Sequence, residues 1–277
     1  MNTSIPKIVH YCWFGGNEIG ESGARCIETW KRFLPDYQII RWDESNFDVG
    51  SCCYCAEAYE AKKWAFVSDY ARFKILYKYG GIYLDTDVEI LSNYEEIIDA
   101  GPFMGIEHDY DPCEVLPKGD LPITVNPGNG LGITPGHELY KDILDSYESS
   151  HFVSPKGDLN LETVVERVTK ILIEHGLMPT QGIQEIDGIQ IYPAEYLCPL
   201  NYSTGKLTIT DNTFSIHHFD SSWLTKQQLF EHRLNSYFIN HGVSARKAKQ
   251  ISAILEIVLY ADIPRIVRKL RSPRARY

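Results

Sequence analysis

Apolar residues fall along this chain in two rhythms. In "PKIVHYCWFGG" (Pro6–Gly16) and "YQIIRW" (Tyr37–Trp42) they run together and stop at turn residues, which predicts two strands. Between them "ARCIETWKRFLPD" keeps helical spacing and ends before Pro35, which predicts a helix. From Tyr54 to Tyr79 the residues Ala58, Ala61, Ala65, Tyr70, Phe73, Leu76 and Tyr77 hold the same spacing, so one helix is predicted there, closed by Gly80-Gly81. "GGIYLDTDVEIL" then carries Ile82-Tyr83-Leu84, a third strand. Apolar strands alternating with helices predict an α/β domain whose sheet is rich in parallel pairs and covered by helices.

Farther on, the stretch Gly101–Gly136 is rich in Gly and Pro around the short apolar runs "PFMGIE" and "GLGIT". That composition reads as loops and short strands over a site rather than as a linker. Helical patterns follow over 136–149 and 160–175, then the strand-like "IQIYPAEYL" and "FSIHHF", then helices from Thr225 onward. There is no internal repeat.

With 277 residues and 44% hydrophobic content, the chain can bury a large core as one folded unit. Its net charge of -10 is unevenly spread. From Arg246 to Tyr277 there are 9 Lys and Arg against Glu256 and Asp262, a balance of 9 - 2 = +7, so the rest of the chain carries -10 - 7 = -17. An acidic body with a basic tail argues against a nucleic-acid binder, which wants its basic face on the folded domain. No secretory leader is visible at "MNTSIPKIVHY", and no run reaches the ~18 apolar residues that a membrane span needs. The 7 cysteines, an odd number, fit a reducing compartment, and the cluster Cys52, Cys53 and Cys55 lacks the second ligand pair of a zinc finger.

Asp85 and Asp87 end the third strand. On a regular strand, residues two apart point to the same side, so these carboxylates would repel one another unless a divalent cation lay between them. Hard cations take oxygen ligands and share them with substrate phosphates, and ligands of open α/β sheets lie beyond the carboxyl ends of strands. For a bare D-x-D, a solvated turn is the more ordinary explanation. Upstream, Asp69 and Arg72 sit three apart on one helical face, suited either to a structural pair or to a bidentate grip on phosphate.

Three blocks, "IPKIVHYCWFGGN", "WAFVSDYARFKILYKYGGIYLDTDV" and "SIHHFDSSW", in this order over about residues 5–225, resemble glycosyltransferase family 32, the sugar transferases containing a D-x-D motif. The resemblance implies a GT-A type fold: a Rossmann-like nucleotide-binding mixed sheet flanked by helices, here with a C-terminal helical extension. It also implies a Mn²⁺- or Mg²⁺-dependent site, a nucleotide-sugar donor and retention of anomeric configuration. Carried over residue by residue, Asp69, Arg72, Asp85 and Asp87 are the catalytic set, with Asp87 the direct metal ligand. His10, Trp13, Tyr83, Asn129, Ser222 and Trp223 are the donor-binding set, with Trp13 stacked on the base. Tyr83 fits core packing equally well. In "TFSIHHFDSSWL" neighbouring histidines of an extended segment face opposite ways, so one of them joins the metal; family regularity favours His217 over His218. Front-face attack and double displacement both stay open.

The expected division is a catalytic domain over 1–242 and a basic amphipathic tail over 243–277, with Ile251, Ile254, Leu255, Val258 and Leu259 on one helical face. Relatives of this type extend a polyprenyl-diphosphate-linked saccharide in surface polysaccharide synthesis. The resemblance therefore implies that acceptor and a cytoplasmic location at the inner face of the membrane. UDP-hexose, with UDP-galactose ahead, is the expected donor. Two other readings are a catalytically silent nucleotide-sugar or carbohydrate binder and a D-x-D phosphatase with Asp85 as nucleophile.

Overall fold

Strand β1 (Ile8–Cys12), helix α1 (Glu21–Phe33) and strand β2 (Gln38–Trp42) open the chain in the expected order, in a computed structural model that describes residues 4–113, 119–220 and 226–260. Helix α1 buries Gly23, Cys26 and Trp30 and closes at Leu34, whose amide donates to the Trp30 carbonyl just before Pro35. The single helix expected over 54–79 is two helices, α2 (Cys53–Glu60) and α3 (Trp64–Tyr79). The break lies at Lys62, whose φ of 56° is left-handed and cannot continue a helix. Apolar spacing runs across this corner because both helices pack on one core.

Helix α3 buries residues on most of its sides, from Val67 to Leu76, as a central helix does. Gly80 ends it with φ 61°, and Gly81 follows with φ 98° into β3 (Gly81–Tyr83). A Cβ on Gly81 would stand 2.7 Å from the Ile8 carbonyl oxygen, so glycine is what lets the chain fold back from helix to strand against β1.

The remaining elements are β4 (Val88–Ile90), α4 (Glu95–Asp99), β5 (Phe103–His108), β6 (Thr124–Val125), β7 (Leu131–Ile133), α5 (Glu138–Glu148), α6 (Val164–Glu174), β8 (Gln184–Ile186), β9 (Ile189–Tyr192), α7 (Ala194–Leu197), β10 (Ser215–His217), α8 (Lys226–Asn240) and α9 (Ala245–Tyr260). The main sheet runs β2-β1-β3-β7-β5-β9-β8, with β6 on β5, and β10 pairs with β4 in a separate ribbon. Parallel pairing holds within β2-β1-β3 and between β5 and β9, while β7 runs antiparallel to both β3 and β5. The sheet is thus mixed, flanked by helices, and less parallel than its apolar strands predict. Both faces are buried: Val9, Tyr11, Ile82 and Leu84 enter one core, and Cys12 and Tyr83 the other, beside α2 and α3.

Two compact units share the chain. The first comprises residues 1–114, 121–199 and 208–218; the second comprises 115–120, 200–207 and 219–277. Within the second, α8 and α9 pack on one another, and Ser236 Oγ donates to the Ser203 carbonyl at 3.0 Å.

Candidate active site

The fold-back at Gly80-Gly81 sets the first half of the site. From Gly80 back to Arg72 the helix rises about 12 Å, and from Gly81 on to Asp85 the strand runs about 13 Å, so the two side chains meet. Arg72 Nη2 donates to Asp69 Oδ1 at 2.8 Å and lies 3.4 Å from Asp85 Oδ1. The Arg72 guanidinium also covers the Tyr83 ring, 4.8 Å from its centroid. Tyr83 in turn donates its hydroxyl to Asp85 Oδ1 at 3.0 Å. Burial pushes the Asp69 carboxyl up and Arg72 opposes it; burial acts against the Arg72 charge, but Asp85, Tyr83 and Asp69 outweigh it and hold the guanidinium ionised. Arg72 Nη1 is buried with no hydrogen-bond partner among the described residues.

Asp85 and Asp87 do not extend the strand, as regular geometry would have it. They form a tight turn, closed by the Val88 amide donating to the Asp85 carbonyl at 3.0 Å. The chain then enters β4, which pairs antiparallel with β10 in a register that sets His217 opposite Val88. His217 Nε2 thereby reaches Asp87 Oδ1 at 3.2 Å. One ligand atom each from Asp85, Asp87 and His217 lies within 4.8 Å of the others. His218 faces the other way and meets Glu89 Oε2 at 2.8 Å.

This donor set suits a hard divalent cation: two carboxylates and one imidazole converge beside buried surface. His217 Nδ1 donates to Asn129 Oδ1 at 2.9 Å, which leaves Nε2 as the nitrogen aimed at the carboxylates. Burial would lower the His217 pKa, but the charge and hydrogen bond of Asp87 prevail and push it well above the usual imidazole value. A cation bound there would take the place of that proton. Gly128 leaves room beside the pair. A Cβ on it would lie 2.1 Å from Asp85 Oδ2 and 3.0 Å from Asn126 Oδ1, so the missing side chain forms a cradle.

Other expected residues are placed differently. Asn129 is fully buried and holds His217 and the Ile106 carbonyl. His10 is 1% exposed, donates from Nε2 to the Gly80 carbonyl at 2.9 Å and accepts from Trp42 Nε1 at 3.0 Å. With both ring nitrogens engaged, it secures the fold-back. Tyr83 is buried against α3 and serves Asp85. Trp13 is half-buried just beyond β1, with Nε1 donating to the Asn17 carbonyl at 2.7 Å. Ser222 and Trp223 lie outside the described residues. Sequence reasoning did not single out Asn126, Gly128 or Glu107. Glu107 ends the apolar run of β5 much as Asp85 ends that of β3, and this was the available signal.

Residues 20–104 match a family model. It is the glycosyltransferase sugar-binding region containing the DXD motif, and the matched stretch carries Asp69, Arg72, Tyr83, Asp85 and Asp87. Among relatives, inositol phosphoceramide mannosyltransferase 3 of Schizosaccharomyces pombe is 37% identical over 92 residues, 32% of this chain and 26% of that one. Inositol phosphoceramide mannosyltransferase 1 of the same yeast is 26% identical over 36% of this chain and 33% of its own length, so the chain spans about a quarter to a third of these two relatives. Glycosyltransferase L373 of Acanthamoeba polyphaga mimivirus is 26% identical over 238 residues, 79% of this chain and 84% of that one. Of the solved structures, the PaToxG glycosyltransferase superposes with a TM-score of 0.45 at 17% identity, covering 61% of this chain and 69% of its own. The galactosyltransferase LgtC gives 0.40 at 13% identity over 89% and 95%. These are distant likenesses. The DXD-type sugar-binding region thus coincides with the carboxylate half of the site.

Proposed function

We propose that the protein is a metal-dependent retaining glycosyltransferase that moves a hexose from a nucleotide sugar to a lipid-linked saccharide. The observation that carries this reading is the convergence of Asp85 and Asp87, which lie within the matched sugar-binding region, with His217 to within 4.8 Å. A divalent ion, Mn²⁺ or Mg²⁺, held by these three side chains would neutralise charge on the departing nucleoside diphosphate. The chain's own residues do the rest. Tyr83 and Arg72 fix Asp85 Oδ1 from two sides, and Asn129 fixes the His217 tautomer. Trp13, just beyond β1, offers an aromatic face for the nucleotide base.

For the donor we favour UDP-hexose with UDP-galactose first, and GDP-mannose beside it, because two of the relatives are by name mannosyltransferases. A polyprenyl-diphosphate-linked glycan of a capsule or O-antigen is the proposed acceptor, at the cytoplasmic face of a membrane. Support for a lipid acceptor comes from those same relatives, which are named for inositol phosphoceramide. Exposed Ile251 and Ile254 on α9, beside Lys247 and Lys249, support contact with an anionic surface. Among the described residues no helix is long and apolar enough to cross a membrane.

The test is a screen of UDP- and GDP-sugars for Mn²⁺-dependent hydrolysis, with Asp87→Ala alongside. One donor should be cleaved by the wild type and spared by the variant. Equal cleavage by both removes the reading.

A further inference from the structure

Glu107 is a half-buried carboxylate that the site described above does not use. It stands at the carboxyl end of β5, and the Asn126 side-chain amide donates to its Oε2. Among the described residues that is its single hydrogen bond, and no ion pair holds it. A carboxylate partly withdrawn from water gains from a second donor. Its partial withdrawal from water pushes the Glu107 carboxyl up, against the opposing pull of His217, the Asn126 hydrogen bond and His108.

Its surroundings set it beside the carboxylate turn. Asn126 is 6% exposed, and its Oδ1 accepts from the Gly128 amide at 2.7 Å, which sets its side-chain nitrogen toward Glu107. The same Oδ1 borders the cradle left by the absent Gly128 side chain, whose other wall is Asp85 Oδ2. One amide therefore separates Glu107 from the carboxylate turn, and His217 lies near enough to act on its charge. The two asparagines of "VNPGN" play matching parts: Asn129 holds the imidazole and Asn126 holds the carboxylate.

Resting on the glycosyltransferase reading, we propose that Glu107 binds substrate as the hydrogen-bond acceptor for a sugar hydroxyl next to the Asp85–Asp87–His217 cluster. A hydroxyl donates a hydrogen bond to such a carboxylate and adds a second donor beside Asn126. Hydroxyls of that kind reach the site from two sources, the transferred hexose and the acceptor saccharide.

Glu107→Gln tests the assignment, because it keeps the shape and removes the charge. Calorimetry with Mn²⁺ compares the nucleoside diphosphate alone with the nucleotide sugar selected by the hydrolysis screen, for wild type and variant. Steady-state transfer kinetics then vary the acceptor. If the transferred hexose is the source, the variant binds the nucleoside diphosphate as the wild type does and loses about 10- to 100-fold in affinity for the nucleotide sugar. If the acceptor is the source, donor affinity is unchanged and the KM for acceptor rises by a similar factor. Unchanged affinities for both, or equal weakening of nucleoside diphosphate and nucleotide sugar, overturns the proposal; thermal unfolding of the variant identifies a loss that is merely structural. A wild-type chain that binds no nucleotide sugar overturns the function itself, before any variant is compared.

Discussion

His217 Nε2 lies 3.2 Å from Asp87 Oδ1, on strands that meet only because β10 pairs with β4. The contact joins the last strand of the first unit to a turn far earlier in the chain. It depends on Asn129, whose Oδ1 accepts the other ring proton at 2.9 Å.

Asn129→Ala should therefore act on the metal through the imidazole. Removing such an outer partner costs about 10- to 100-fold in metal affinity, so calorimetric titration with Mn²⁺ in the presence of nucleoside diphosphate should show a loss of that size. A cavity at this fully buried position also lowers stability, which urea unfolding measures separately.

Gly128→Ala should displace Asp85, since the added methyl would overlap its Oδ2 at 2.1 Å. Crowding of this sort costs about 1–3 kcal/mol in stability. The expected outcome is weakened Mn²⁺ binding in a folded protein, read by titration together with the thermal midpoint.

Tyr83→Phe keeps the ring under Arg72 and removes only the hydroxyl that holds Asp85. Stability should fall by about 0.5–1.5 kcal/mol, the ordinary worth of one hydrogen bond. Donor hydrolysis should fall with it, in kcat more than in KM if Asp85 must be held still during bond cleavage.

His10 gives the protein a pH dependence unrelated to the metal. Burial lowers its pKa from 6.5 to about 4, so the folded chain keeps the ring neutral where the unfolded chain would protonate it. Its contribution is complete above pH 6.5 and is lost as pH falls from there toward about 4, by about 3 kcal/mol in all. Urea unfolding at a series of pH values should show that decline, and His10→Gln should flatten it.

Much of this was legible in local patterns. The runs of β1 and β2, the stop before Pro35 and the Gly80-Gly81 break are signals that neighbouring residues carry, and the three-residue spacing of Asp69 and Arg72 places them on one helix face. The split between α2 and α3 was not legible, because Lys62 adopts a left-handed φ that its residue type does not announce. Nor was the antiparallel insertion of β7 between β3 and β5, since a strand buried on both faces reads alike in either direction. The choice between His217 and His218 needed the register of β10 on β4. Asn126, Asn129 and Gly128 act through contacts across the sheet, so their roles emerge only when the "VNPGNG" loop is seen against Asp85 and His217.

The most direct test is a crystal grown with Mn²⁺ and UDP, with diffraction recorded on both sides of the manganese absorption edge. We expect an anomalous peak coordinated by Asp85, Asp87 and His217 and shared with the diphosphate, absent from crystals of Asp87→Asn. A peak elsewhere, with His217 still turned to Asp87 and no ion between the carboxylates, would contradict the assignment of this cluster as the metal centre.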